Sequence, residues 1–372
     1  MNFKLTLLTM CLPLAASASG LTTPPSGDNQ RATVVQHVGP VVLSVDYSSP
    51  RVHLNGEDRH GKIWGQLVPY GLTKLSSTCA QCPWRAGANE NTTFTTSHPV
   101  HIQGQPLPAG TYGVHMIPGA DTWTVIFSKN ASSWGSFSYD AKDDALRVET
   151  KAAPSPFHEW LTYEFTEREP TRTTLALTWE DLTVPVSITV DDAPEIYAET
   201  MLQEMRSSPG FDWHNVEQVA RYLLDNKIKA ADALRLAKVA ADPNSGGDDN
   251  VVTMMTLSRA QIANGQKAEA QKTRDLALSL PWAKPLDIHL AGRALLTAGD
   301  KEEAMKFFRI NAKRFPNQWP VHVGLMRGYA ALGDNPKALD EYRLALKQVP
   351  DEANRKNLEA LAKKLEAGGM IN

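Results

Sequence analysis

The chain has 372 residues, enough for two domains that each bury a core without depending on disulfides. Its 38 Lys and Arg stand against 41 Asp and Glu, a formal net charge of −3, which speaks against a polyanion-binding protein, so nucleic acid is not an expected partner.

Chain order begins with Met1, Asn2, Phe3 and Lys4, an apolar stretch from Leu5 to Ala16, and the small-residue run Ala16-Ser17-Ala18-Ser19. A basic start, a short apolar stretch and an A-x-A-like end predict a signal peptide over residues 1–18, too short to span a bilayer. Cys11 lies in the apolar stretch behind Met10, a poor residue to precede a lipidated cysteine, so simple cleavage after Ala18 is expected. No later stretch has the apolar length of a membrane helix, and the mature chain is expected in solution, periplasmic or extracellular, in a bacterial envelope.

Residues 34–191 read as an all-β sandwich. Val41, Leu43, Val45 and Tyr47 alternate with polar or smaller residues, as do Tyr112, Val114 and Met116, and then Val184, Val186, Ile188 and Val190. Further strands are expected over 123–128, 134–139, 146–150, 160–165 and 173–179, with Pro and Gly turns between them. Many short strands without an intervening helical period predict a sandwich or barrel, and Pro185 predicts an edge position for the last strand.

Asp191-Asp192-Ala193-Pro194-Glu195 then reads as a helix start, and residues 192–210 as a linker helix. From 211 to 372 the helices repeat. Gly265, Gly299 and Gly333 are 34 residues apart, as are Ala270, Ala304 and Ala338; Pro316 and Pro350 keep the interval, and Phe308 aligns with Tyr342. That period is the tetratricopeptide signature, a stack of helix pairs whose concave face commonly holds protein segments. A looser first unit runs through Trp213, Asn226, Ala233 and Pro243, and 356–364 reads as a capping helix. The fold class is therefore α+β multidomain, an N-terminal β-sandwich followed by an α-helical tetratricopeptide-like solenoid.

Chemistry-bearing residues are few. Cys79 and Cys82 form a C-x-x-C pair, for which an exporting compartment favours a disulfide that contributes roughly 2 kcal/mol on the chain-entropy model. A redox pair would normally open a helix, which Pro83-Trp84 does not resemble; a zinc half-site would need two of His53, His60, His98 and His101. No metal and no cofactor are assigned. His158-Glu159 lacks the second histidine of a zinc-protease motif, and no nucleophile elbow is present. The loop Trp84 to Thr93 gathers a guanidinium, an amide, a carboxylate and two hydroxyls, where scaffolds tend to present polar groups. If His115 met Glu90 and Arg85 in one pocket, a carboxylate-oriented imidazole beside an anion-holding cation would result; otherwise Arg85 and Glu90 form a structural ion pair. The tryptophans are read as core, with glycan stacking as an alternative.

Ile63-Trp64-Gly65 with Leu67-Val68-Pro69-Tyr70-Gly71, the loop from Trp84 to Thr93, Leu107-Pro108-Ala109-Gly110-Thr111-Tyr112 with His115, and Trp134-Gly135-Ser136-Phe137 resemble the secreted bacterial family catalogued as domain of unknown function 2911. The likeness covers about residues 34–190 and implies an envelope setting without a reaction, substrate or cofactor. Arg85, Asn89, Glu90, Thr92, Thr93, Tyr112 and His115 match the family's motif positions and are the candidate ligand-site residues. The insertion carrying Cys79 and Cys82 departs from the simpler family pattern. The leading expectation is a binding and scaffolding protein whose repeats engage a protein partner. The alternatives are an envelope enzyme acting on a small or carbohydrate-like substrate through Glu90, His115 and Arg85, and a glycan-binding module.

Overall fold

Alternation of apolar and polar residues buries one face of each N-terminal strand, because successive side chains on a strand point to opposite faces. The structure, a computed structural model, describes residues 28–75, 77, 79–369 and 371, so the expected signal peptide and Cys11 lie outside the described residues. The chain divides into two units between Ala193 and Pro194.

The first unit is built from β1 (Gln30–Val38), β2 (Val41–Ser49), β3 (His53–Leu54), β4 (Glu57–Asp58), β5 (Thr92–Thr96), β6 (Val100–Ile102), β7 (Gln105–Leu107), β8 (Gly110–Ile117), β9 (Thr122–Ser128), β10 (Asp144–Lys151), β11 (Ala153–Glu169) and β12 (Arg172–Thr189). One sheet runs β1-β2-β5-β8-β9-β10, the other β11-β12-β6-β7, and β3 pairs with β4. This is the expected sandwich. Leu43, Val45, Phe94 and Val114 from the first sheet are buried, as are Leu161, Phe165 and Leu177 from the second. Tyr47 of β2 meets Tyr163 of β11 edge to face with ring centroids 4.9 Å apart, tying the sheets together.

Three strand expectations need correction. Residues 134–139 form turns and bends rather than a strand, because the segment folds over β8. The two expected strands at 173–179 and 184–190 are one long strand, β12, with Glu180 in the left-handed region at φ 55° where the register slips. Pro185 does not mark a sheet edge, since β12 lies between β11 and β6. It falls between the stretch paired with β11, ending at Thr183, and the stretch paired with β6, starting at Ile188, where no ladder N–H is required of it.

The second unit is helical: α1 (Ala193–Glu204), α2 (Trp213–Asp225), α3 (Ala230–Ala240), α4 (Val251–Ala263), α5 (Lys267–Ser279), α6 (Pro285–Thr297), α7 (Lys301–Arg314), α8 (Trp319–Ala331), α9 (Asn335–Leu346) and α10 (Glu352–Glu366). The 34-residue glycines explain themselves here. Gly265, Gly299 and Gly333 sit in the turns α4–α5, α6–α7 and α8–α9 with φ of 78°, 84° and 82°, a conformation that glycine adopts without steric cost. Ala270, Ala304 and Ala338, in the helix that follows each turn, are buried where a larger side chain would push the pair apart.

Phe308 of α7 is fully buried against Gly292 of α6 and Gly324 of α8, where an added Cβ would come within 2.3 Å and 2.6 Å of its ring. Bonds between repeats span the same interval or two residues more. Asn264 Nδ2 donates to the Ala230 carbonyl at 2.8 Å, and Arg314 Nη1 and Nη2 donate to the Leu278 and Leu280 carbonyls, each at 2.7 Å. The last helix, α10, is longer than the expected 356–364.

Candidate functional site

Trp84 extends the first sheet: its backbone exchanges hydrogen bonds with Met116 of β8 at 2.7 and 2.8 Å, so the following loop starts beside β8. Ala86 and Asn89 take left-handed backbone conformations at φ 52° and 56°, which curl residues 85–91 back toward β5. Arg85 Nη1 donates to the Asn89 carbonyl at 2.7 Å, closing the loop on itself, and the guanidinium carbon lies 5.0 Å from the centre of the Phe137 ring. Burial lowers the Arg85 pKa.

His115 points away from Tyr112, Val114 and Met116, as the alternation on β8 requires, yet it is only 2% exposed because residues 134–139 cover it. Its Nδ1 lies 2.8 Å from Ser136 Oγ, and its ring meets Tyr139 edge to face at 5.3 Å. Burial, with Arg85 second, pushes the His115 pKa down to about 4, so the imidazole is neutral at pH 7. The structure thus brings Arg85 and His115 together.

Glu90 is elsewhere. It is exposed, accepting from Arg31 Nη1 at 3.3 Å and Ser48 Oγ at 3.4 Å, and Arg31 is also paired with Asp46. The hydrogen-bonding partner of His115 is a serine rather than a carboxylate, and Glu90 forms its ion pair with Arg31 rather than Arg85. Thr92 and Tyr112 bond to backbone carbonyls: Thr92 Oγ1 donates to the Ala86 carbonyl at 3.0 Å, and Tyr112 Oη donates to the Pro108 carbonyl at 2.9 Å. Thr93 is half-buried on β5 opposite Asp46 and Gly113, and Asn89 Oδ1 accepts from Asn29 at 3.4 Å. Cys79 and Cys82 form a disulfide, and no group of three or more His, Cys, Asp or Glu among the described residues could hold a metal ion.

Arg85 and Asn89 line a cleft of about 360 Å³ with Arg59, Leu67, Trp84 and Trp179. Arg59 is fixed through Nε to the Val52 carbonyl at 3.1 Å and through Nη2 to the Arg51 carbonyl. Behind it, Trp64, Trp84, Trp123 and Trp179 pack ring against ring at 5.2–6.5 Å. Core packing thus accounts for four of the tryptophans, while Trp134 is 59% exposed. Sequence reasoning missed Arg59, which sits in no motif. It also read Ser136 as part of a strand.

Residues 29–188 match the family model described as "Protein of unknown function (DUF2911)". The β unit is a DUF2911 domain. That description names no reaction, and no curated protein matches the chain. Three similar solved structures each cover less than half of this chain. A thermophilic TPR protein of Thermus thermophilus is 18% identical with a TM-score of 0.33, covering 47% of this chain and 91% of that one. MamA AMB-1 is 15% identical with a TM-score of 0.26, covering 42% and 82%, and a point mutant of MamA is 14% identical at 0.26, covering 43% and 94%. The repeat assignment beside the DUF2911 domain stands on the 34-residue period and the helix pairs themselves.

In the helical unit, the first helices of two successive pairs, α6 and α8, share a cleft of about 140 Å³ with the last helix, α10. Arg327 lines it, only 6% exposed, and its Nε and Nη1 are buried without a hydrogen-bond partner among the described residues. Burial, then Arg293, pushes its pKa down to about 10. His289 Nδ1 is likewise buried without a partner, and burial pushes that pKa down to about 4. Leu286 and Leu290 line the same cleft while 51% and 48% exposed. An arginine as the one permanently charged side chain in the apolar α8 sequence is a signal that the sequence offered and that periodicity alone overlooks.

Proposed function

We propose that the chain is an exported scaffolding protein of the bacterial envelope whose helical repeats hold a segment of a protein partner at the α6–α8–α10 cleft. The observation that carries this reading is Arg327: a charged guanidinium buried without a carboxylate in reach among the described residues is costly to the folded state, and an anion from a partner would offset that cost. The adjoining exposed leucines supply apolar contact next to the charge, so the partner segment combines an acidic side chain or terminal carboxylate with apolar residues. The expected export and the Cys79–Cys82 disulfide agree with an oxidising compartment. No helix among the described residues is long and apolar enough to cross a membrane.

The enzyme reading has weaker support, because Glu90 and His115 hold separate partners. Glycan binding would rest on the single exposed indole of Trp134 in the DUF2911 domain. Crosslinking capture from the envelope tests the proposal, with the whole chain compared against Leu286→Glu, Leu290→Glu and Arg327→Met. Loss of one specific protein with all three variants is the expected result. A partner that all three retain would overturn it.

A further inference from the structure

We propose that the Arg59–Arg85 cleft of the DUF2911 domain binds a small organic anion, a carboxylate or phosphoryl head on an apolar body that fits about 360 Å³. The site takes neither Glu90 nor the His115 imidazole, and it stands independently of the partner-binding role of the repeats.

The charge pattern is the first argument. Arg31, Arg51, Arg147 and Arg168 of the same domain each lie within 4 Å of a carboxylate. Arg59 and Arg85 have no such partner among the described residues, and both line one cleft in which no Asp or Glu takes part. Each guanidinium is instead anchored by backbone carbonyls: Arg59 by Val52 and Arg51, Arg85 by Asn89. Anchoring through part of the fork fixes the group while leaving other N–H donors for an incoming oxygen, the arrangement that suits carboxylate and phosphate.

The walls are the second argument. Leu67, Val68, Pro69, Pro83, Trp84 and Trp179 make most of the lining apolar, so a ligand that is all charge would leave that surface unused. Trp179 also buries an indole N–H that no acceptor among the described residues reaches. Two cations beside an apolar, aromatic wall repel a metal cation and offer a neutral sugar few acceptors, whereas an amphipathic anion satisfies both kinds of surface.

Trp84 and Trp179 give the readout. The mature full-length chain is titrated with hexanoate and with phenyl phosphate while tryptophan fluorescence is followed, with 1-hexanol and inorganic phosphate as the neutral and headgroup-only probes. Saturable binding of at least one organic anion is expected, weaker by on the order of tenfold in Arg59→Gln and in Arg85→Met and partly restored in Arg85→Lys. Arg59→Gln keeps the test valid if Arg85→Met fails to fold, since Arg85 also packs under Gly135 and over Phe137. Absence of saturable binding to about 10 mM by either organic anion overturns the proposal. So does 1-hexanol binding as tightly as hexanoate, inorganic phosphate binding as tightly as phenyl phosphate, or affinities that the arginine variants leave unchanged.

Discussion

Replacing Arg327 by Met should make the helical unit more stable while removing the charge proposed to hold an acidic partner. The side chain is 6% exposed on α8, with Nε and Nη1 buried and unpartnered, and burial together with Arg293 brings its pKa down to about 10. Relative to an ordinary guanidinium, that drop corresponds to ~3 kcal/mol of penalty on the charged form. Methionine fills similar volume without charge, and about 2 kcal/mol should survive repacking. For a unit of this size the midpoint should rise by roughly 4–8 °C, read from the helical circular dichroism signal. The sign with pH is definite. A depressed basic pKa favours the unfolded state wherever the unfolded group is protonated, and below pH 10 the guanidinium is protonated in both states, so the penalty is constant there. The gain should therefore be the same at pH 6 and pH 8 and shrink only above pH 10. An unchanged or lower midpoint would mean that the charge is satisfied within the fold, and the argument for an anionic partner would fall with it.

Three further outcomes are expected. His115 is held near pKa 4 while an unfolded histidine titrates near the ordinary value, so stability is full above about pH 6.5 and declines as pH falls toward 4; melts of the β unit at pH 7.5 and 5 should differ by about 2 kcal/mol more in the native chain than in His115→Gln. Phe308→Ala should cost about 4 kcal/mol by chemical denaturation, because Gly292 and Gly324 have no side chains to close over the cavity; Gly292→Ala alone should destabilise by overpacking yet partly rescue Phe308→Ala, and additive effects would contradict the packing described. Cys79→Ser with Cys82→Ser should cost roughly 2 kcal/mol in the β unit alone, and an equal loss in the helical transition would contradict the division into two units.

Periodic features were legible because they repeat a physical demand. A glycine every 34 residues needs a left-handed turn at each recurrence, and Gly265, Gly299 and Gly333 all meet it. Strand alternation likewise put His115 opposite Tyr112, Val114 and Met116. What was illegible depends on long-range approach. Nothing local in Trp134-Gly135-Ser136-Phe137 says that it leaves the sheet, and yet this excursion is what buries His115 and seats Phe137 on Arg85. Glu90 is close to Arg85 in sequence, but Arg31, 59 residues away, takes its carboxylate. Arg59 joins Arg85 only because residues from separate stretches between Asn29 and Trp179 converge on one cleft.

The unpaired arginines do not follow from a shortage of acid. The chain carries 41 Asp and Glu against 38 Lys and Arg, and most of the arginines with a carboxylate in reach sit on the surface, where pairing contributes little. Arg59, Arg85 and Arg327 are the opposite case: partly or wholly removed from water, next to apolar walls, and without a carboxylate among the described residues. A carboxylate within reach at any of these positions would raise stability by satisfying a desolvated charge. Leaving each without one makes sense when the missing anion arrives from outside, which is why a small organic anion is proposed for the DUF2911 cleft and an acidic polypeptide segment for the helical cleft.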